Sequence, residues 1–324
     1  MWFSIVLRWV SGAALASATC MAAAQAYPSR PVRLVIPFPP GGGADIAGRI
    51  IGQKLTDRLG VQVVIDNRPG ASTLIGTEIV SKASPDGHTL LMATSNHSIN
   101  PSIFAKHPFD AIKDFTPIVL VNTSPLLWAV GVQQPIKGLA DLIAQAKANP
   151  NSIKYGTGGH GTQTHLVVEM LRIRANVELL PVPYKSVQTT GVAETVAGQI
   201  TMVSASVPAL LPFVKSGRLR GIAVTSSKRS NALPDVATVA EQGYPGYAVE
   251  YWLGLMGPAQ VSAAVVNRIN QESNAALKQG DVGDQFHLQG AESAGGSAAE
   301  FRELVVREVK IWADVVKAVG LKPQ

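Results

Sequence analysis

The chain has 324 residues, of which 46% are hydrophobic and 15% are charged, so a disordered chain is excluded and about two domains are expected. The 28 Lys and Arg residues exceed the 22 Asp and Glu residues only mildly and form no basic runs, which argues against nucleic-acid binding. The single cysteine, Cys20, excludes a disulfide framework and a zinc site built on cysteines.

The N-terminal residues up to Ala26 have the order of a secretory signal. Arg8 precedes an apolar run from Trp9 to Thr19, and small residues follow it. The run is shorter than the roughly 20 residues that span a bilayer. The alternatives are a frayed helix, a membrane anchor and a lipoprotein signal at Cys20, although Ser17 stands where a lipoprotein signal usually carries Leu. We expect cleavage after Ala26 and a mature protein outside the cytoplasm that has no cysteine.

Apolar stretches in the first third of the mature chain alternate between strand-like and helical spacing. They are Val32–Phe38 (strand), Ala44–Leu59 (helix), Val61–Ile65 (strand), Thr73–Ser81 (helix) and Thr89–Ala93 (strand). This β-α-β-α-β order predicts a parallel sheet whose faces are covered by helices.

The alternation continues in the rest of the chain. The predicted strands are Leu126–Val132, Ile153–Tyr155, Val177–Val182, Ile200–Ser204, Leu219–Thr225 and Tyr247–Gly257, and the predicted helices are Leu139–Ala148, Thr164–Ile173, Val192–Ala197, Ala263–Lys278 and Ala298–Ala318. We expect two α/β lobes, residues 27–125 plus about 245–324 and residues 126–244, with a ligand cleft where the carboxyl ends of the strands meet.

A glycine-rich turn, Pro39–Gly43, joins the first predicted strand to the first helix. Such a turn lets a ligand approach the backbone, and the helix N-terminus favours an anion. A dinucleotide fingerprint fails because Ile46 stands at its third glycine position, and a P-loop fails because Arg49 stands at its lysine position. A small carboxylate is the better candidate, and a tight turn without a ligand is the alternative.

A second glycine-rich loop, Tyr155–Thr162, has the same strand-to-helix position in the second lobe. Two donor-rich loops, one in each lobe, predict a clamp for an anion. His160 and His165 are five residues apart and lack the H-E-x-x-H spacing of a zinc site. His97 and Asp45 form an acid–base pair if they meet in the cleft, so an enzyme is the second hypothesis.

Several consecutive motifs of the mature chain resemble the extracytoplasmic solute receptors of tripartite tricarboxylate transporters, also called Bordetella uptake gene proteins. The motifs are Tyr27–Arg49, Asp66–Val80, Ser84–Leu91, Leu142–Pro150, Thr164–Leu171, Val182–Ser186 and Ala232–Tyr247, followed by the C-terminal helix. The resemblance implies an α/β, two-lobed periplasmic-binding-protein fold of type II-like form, with a ligand cleft between two mostly parallel α/β lobes. It also implies a small organic carboxylate as ligand, a membrane permease as partner, and neither metal nor cofactor. We expect a monomer.

The resemblance places the ligand on the turn after the first strand, on the residues after the third strand and on the second-lobe loop. With the aromatic and polar positions near predicted strand ends, the candidate ligand-binding residues are Phe38, Pro40, Gly41, Gly42, Gly43, Ala44, Asp45, Ser95, Asn96, His97, Thr157, Gly158, His160, Gly161, Thr162, Tyr184, Thr201 and Ser204.

Two positions and one short stretch depart from the family pattern, and they bear on specificity. Family members usually carry Gly where this chain has Ser186 and Asp where it has Thr201. They usually carry a stretch that contains Phe-Asp where this chain has Val203–Ser206. If Thr201 faces the cleft, the ligand lacks an amino group and is an organic acid, either aliphatic or aromatic. A sensor that feeds a membrane signalling protein is the alternative to transport, and a secreted enzyme on the same fold is a further one.

Overall fold

The computed structural model describes residues 27–184 and 186–322, so the predicted signal peptide lies outside the described residues. The strands are β1 (Val32–Ile36), β2 (Val63–Asn67), β3 (Thr89–Thr94), β4 (Phe115–Gly131), β5 (Lys154–Thr157), β6 (Leu180–Pro183), β7 (Met202–Ser206), β8 (Leu219–Val224), β9 (Glu250–Pro258) and β10 (Glu292–Gly295). The helices are α1 (Gly43–Leu59), α2 (Leu74–Ser81), α3 (Asn96–Ile103), α4 (Leu139–Ala148), α5 (Gln163–Ala175), α6 (Val192–Val196), α7 (Val207–Lys215), α8 (Ala263–Leu277), α9 (Gly280–Leu288) and α10 (Ala298–Val319).

The strands form two hydrogen-bonded sheets that share the long strand β4. In the first sheet β1 pairs in parallel with β2 and β3, and β9 runs antiparallel to β3 and to the Phe115–Pro125 part of β4. In the second sheet β5 pairs in parallel with β6 and β7, and the Leu126–Gly131 part of β4 runs antiparallel to β7 and β8. We call the parts of the chain built on these sheets the first and the second lobe.

The expectation of mostly parallel lobes is wrong, because both sheets are mixed. The antiparallel pairs all involve β4 or β9. These strands lie at the crossings between the lobes, where the chain leaves the first lobe along β4 and re-enters it along β9. The predicted β-α-β-α-β series of the first lobe is confirmed and forms its parallel part.

Apolar side chains on both faces of each sheet are covered by helices, which explains the near-continuous apolar runs of the strands. The C-terminal helix α10 contributes to the cores of both lobes: Phe301 packs with Trp252 beside the first sheet, and Trp312 packs in the second-lobe core. A capping box between Ser297 and Glu300 fixes where this helix starts.

The two-lobed architecture agrees with the expected fold class, whereas the boundaries 27–125, 126–244 and about 245–324 stay a prediction. Within the residues that the structure describes, no helix is both long and apolar enough to cross a membrane.

Candidate functional site

The first glycine-rich turn lies between the carboxyl end of β1 and the start of α1. Gly41 adopts a left-handed backbone conformation with φ of +84°, which a residue with a side chain adopts only at a cost. Gly41, Gly42 and Gly43 are exposed. Among the described residues, the N–H groups of Gly42, Gly43 and Ala44 make no hydrogen bond. The turn therefore presents free donors and the positive end of a helix dipole.

The buried Asp45 side chain holds this turn in place. It is only 3% exposed, and its Oδ2 accepts hydrogen bonds from Gly41 N at 2.9 Å and from Arg49 Nε at 3.0 Å. Its Oδ1 accepts from Asn67 Nδ2 at 2.9 Å, and the same amide donates to Phe38 O. Burial by itself raises the pKa of Asp45, but the hydrogen bonds from Arg49, Gly41 and Asn67 outweigh it and hold the pKa below its usual range. Asp45 is thus an ionised support of the turn.

The second glycine-rich loop joins β5 to α5. Gly159 and Gly161 both have positive φ, of +112° and +77°. In the described part of the chain, the N–H groups of Gln163 and Thr164 in the first turn of α5 have no hydrogen-bond acceptor. This loop therefore repeats the arrangement of the first turn, with free donors at a helix N-terminus.

The threonine hydroxyls of this loop bond to the loop itself. Thr162 Oγ1 donates to Gly159 O at 2.7 Å, and Thr157 Oγ1 accepts from Gly159 N at 3.2 Å. Thr164 Oγ1 accepts from Gly158 N at 3.0 Å. The hydroxyls shape the backbone, so the free backbone N–H groups are the donors that the loop offers to a ligand.

His165 is a supporting residue that the candidate set omits. It is 2% exposed, and its Nδ1 accepts a hydrogen bond from Gly161 N at 3.2 Å. Burial lowers the pKa of His165 to about 4, so the ring is neutral near pH 7 and keeps the lone pair that this bond needs. The exposed His160 lies edge-on to it, with ring centroids 5.2 Å apart. The position of His165 four residues after Gly161 is the sequence signal that could have identified it as a supporting residue.

The residues after β3 have different environments. Ser95 is fully buried and its Oγ donates to Gln163 Oε1 at 2.9 Å, which joins the first lobe to the start of α5. Asn96 is half-buried. His97 lies in the first-lobe core, where its ring is stacked with Phe109 and its Nε2 donates to Ala111 O at 2.8 Å.

The position of His97 in the core argues against the hypothesis that it forms an acid–base pair with Asp45. The ring is 3% exposed, and burial lowers the pKa of His97 to about 4. Asp45 bonds to Gly41, Arg49 and Asn67 instead. The structure does not bring the two residues together as a hydrogen-bonded pair.

Tyr184 lies beside the end of β5, and its N–H donates to Thr157 O at 2.8 Å. Its ring covers Gly156, where an added Cβ would lie 3.3 Å from the ring edge. The hydroxyl donates to Glu194, and burial together with this acceptor raises the pKa of Tyr184 to about 12. Half-buried, it keeps part of its surface accessible at this edge of the sheet.

Thr201 lies away from the free donors of the second loop. Thr201 N donates to Lys154 O at the start of β5, and Thr157 at the other end of that strand borders the loop, about 10 Å further along. Ser204 is fully buried opposite Trp128. The argument that Thr201 removes an amino-group contact from the cleft therefore loses its basis.

The structure thus brings two donor-rich turns to the carboxyl ends of β1 and β5, with Ser95 and Asn96 after β3. Asp45 and His165 support the turns. The free backbone N–H groups of the turns can therefore donate hydrogen bonds to an anion. Within residues 27–184 and 186–322, no group of three or more His, Cys, Asp or Glu side chains is placed to hold a metal ion.

Comparisons with known proteins identify the family of this chain. Residues 47–321 match the family model described as "Tripartite tricarboxylate transporter family receptor". Protein BugT of Bordetella pertussis is 33% identical over 301 residues, covering 92% of each chain.

Two solved structures of relatives contain carboxylates. R. palustris Rpa4515 with adipate is 31% identical with a TM-score of 0.79, covering 92% of this chain and 100% of that one. MatC of Rhodopseudomonas palustris with bound malate is 28% identical with a TM-score of 0.75, covering 90% of this chain and 100% of that one. On the family match and the identity to BugT, this chain belongs to the receptor family of tripartite tricarboxylate transporters.

Proposed function

We propose that this protein is a periplasmic receptor that captures a small organic carboxylate between its lobes and delivers it to a membrane permease, without catalysing a reaction. The observation that carries the proposal is the pair of strand-to-helix turns with free N–H groups, each locked by a buried acceptor side chain, Asp45 or His165. A carboxylate satisfies such donors, because its two oxygens accept several hydrogen bonds and its charge complements both helix dipoles. Delivery to a permease and the periplasmic location rest on the family membership, and a monomeric state stays a prediction.

Within the carboxylates, we propose a short aliphatic dicarboxylate with one carboxylate at each turn. The relatives with adipate and with malate support this class, because both ligands carry two carboxylates. Since Thr201 lies away from the turns, an amino group on the ligand is no longer disfavoured, and aspartate belongs in the test.

The energetics are sufficient without covalent chemistry. A micromolar receptor needs about −8 kcal/mol of binding free energy. Each hydrogen bond to a charged group contributes roughly 1.5–3 kcal/mol. The free N–H groups of Gly42, Gly43, Ala44, Gln163 and Thr164 reach that range together after the cost of immobilising the ligand is subtracted.

The experiment is thermal and urea unfolding of refolded, ligand-free mature protein with succinate, malate, adipate, aspartate, citrate, phthalate and the neutral diamide of succinate. A dicarboxylate at about 100 times its Kd is expected to stabilise the protein by about 2.7 kcal/mol, and the diamide is expected to have no effect. Stabilisation by none of the acids, or equal stabilisation by the diamide, would contradict the carboxylate clamp.

A variant with a matched control tests the turn itself. Gly43 is the first residue of α1, has free space around its Cα and follows an extended residue, so Gly43→Pro removes one N–H donor at a position that proline favours. We expect carboxylate affinity to fall about 10- to 150-fold with the fold intact. Gly280→Pro makes the same change at the start of α9 and is expected to leave affinity unchanged.

A further inference from the structure

The side chain of Gln163 joins three parts of the molecule. Gln163 is the first residue of α5 and is 4% exposed. Its Oε1 accepts from Ser95 Oγ at 2.9 Å, and its Nε2 donates to Glu250 O at 2.9 Å. One amide thus satisfies a hydroxyl of the first lobe and a main-chain carbonyl at the start of β9.

The position of Glu250 makes the second bond relevant to motion of the lobes. Val249 N donates to Thr225 O beside the second lobe, and the next residue, Glu250, opens β9 in the first sheet. The amide of Gln163 therefore binds a crossing between the lobes as well as Ser95. The backbone N–H of Gln163 is one of the donors of the second turn that lack an acceptor in the described chain.

Close packing next to this amide keeps it away from water. Ile103, at the end of α3 in the first lobe, lies against Gly161 of the second-lobe loop, where an added Cβ would be only 2.7 Å from Ile103 Cδ1. Ser95 is fully buried, and so is Thr157 but for 1% of its surface. Separation of the lobes at this point would expose Ser95 and the Gln163 amide to water and break the bond between them.

We propose that Gln163 is a positioning residue that couples capture of the carboxylate to closure of the lobes. Its backbone N–H belongs to the second turn, while its side chain fixes that turn to the first lobe and to the crossing at Glu250. The inference rests on the proposed function, since the carboxylate is the ligand whose capture is coupled. A hydrogen bond present only in the closed state shifts the closed-to-open ratio by about two- to twelvefold. When both states are populated in the ligand-free protein, the apparent Kd changes by up to as much and the mean size of the ligand-free protein changes with the ratio.

The test uses Gln163→Met, which keeps the length of the side chain and removes both hydrogen bonds, and Ser95→Ala, which removes only the bond to the first lobe. Gln242→Met is the matched control. The Gln242 amide also bridges main-chain groups, accepting from Leu139 N at 3.0 Å and donating to Ile222 O at 2.9 Å, but entirely within the second lobe. Thermal unfolding confirms that each variant folds.

Two readouts report on closure. The first is the Kd and dissociation rate of whichever of succinate, malate and adipate stabilises the wild-type protein most. The second is the radius of gyration of ligand-free protein from small-angle X-ray scattering. We expect Gln163→Met and Ser95→Ala to raise the Kd by up to about twelvefold through faster dissociation, non-additively in the double variant. Gln163→Met is expected to increase the radius of gyration of the ligand-free protein.

Unchanged Kd and unchanged radius of gyration in Gln163→Met would overturn the inference. Equal effects of Gln242→Met would overturn it too, because they would show a general loss of stability. If no dicarboxylate binds the wild-type protein, the proposed function fails separately. The radius of gyration then still decides whether Gln163 holds the lobes together.

Discussion

The carboxyl group of Glu308 predicts an unusual dependence of stability on pH. Glu308 lies on α10 with 8% exposure and accepts a hydrogen bond from Trp252 Nε1 at 2.7 Å. Burial raises the pKa of Glu308 from 4.5 to about 7, against the opposing effect of the Trp252 bond and of the neighbouring Arg307. Glu250, whose pKa burial also raises, lines the same cavity between α10 and the lobe crossing.

The sign follows from proton binding. Between pH 4.5 and about 7 the folded protein keeps the Glu308 proton while the unfolded chain loses it. The folded state therefore binds more protons, and the free energy of unfolding falls as the pH rises through this window. This difference in pKa lowers the free energy of unfolding by about 3 kcal/mol. The whole of the loss is present above the pKa that Glu308 has in the folded protein.

Glu308→Gln removes this titration and keeps an oxygen that accepts from Trp252. The free energy of unfolding of the variant minus that of the wild type is expected to grow by about 3 kcal/mol between pH 4 and pH 8. Urea unfolding followed by circular dichroism measures it, and Glu303→Gln, at an exposed position of the same helix, is the control. A difference that does not change with pH would refute the burial argument.

Two further predictions concern the turns. Asp45→Asn is expected to weaken dicarboxylate binding about tenfold or more in calorimetric titration, because it disturbs the acceptor of Gly41 N even though it removes a negative charge beside an anion site; tighter binding would show that charge outweighs positioning. Gly161→Ala is expected to lower the free energy of unfolding by more than roughly 1–2 kcal/mol, which is the cost of placing a residue with a side chain in the left-handed conformation. The reason is that the added Cβ also contacts Ile103. Gly217→Ala, with φ of +68° and no atom within 4 Å of the added Cβ, is its control, and equal losses in urea unfolding would contradict the tight contact.

The sequence predicted the short buried strands well, because their apolar runs reflect burial on both faces. It missed most of β4. Pro117 and Pro125 lie within that strand and argue against a central strand in any local interpretation, so the predicted strand began at Leu126. The structure accommodates them where the pairing is irregular: the register with β9 shifts next to Pro117, and Pro125 ends the pairing with β9 before β4 enters the second sheet.

The candidate site shows the same division between local and long-range information. The glycine turns are local features and could be located from the sequence. His97 follows a strand as a ligand-binding residue would, but its burial against Phe109 depends on a contact twelve residues away in sequence. Thr201 was predicted to face the ligand, but the direction of its strand already argued against this. It lies at the amino end of a parallel strand, whereas ligands bind at the carboxyl ends. Nothing local distinguishes Gln163.

Both lobes lock their glycine turn in the same way. In each, a glycine with positive φ donates its N–H to a buried acceptor four residues later, Gly41 to Asp45 and Gly161 to His165. The acceptors differ in charge: the carboxylate of Asp45 is balanced by Arg49, whereas His165 is a neutral imidazole. Neither support therefore leaves an uncompensated negative charge beside a site for an anion. A locked turn also loses little conformational entropy when a ligand arrives, so more of the hydrogen-bond free energy remains for affinity. A flexible glycine loop without such an acceptor would spend that free energy on its own ordering.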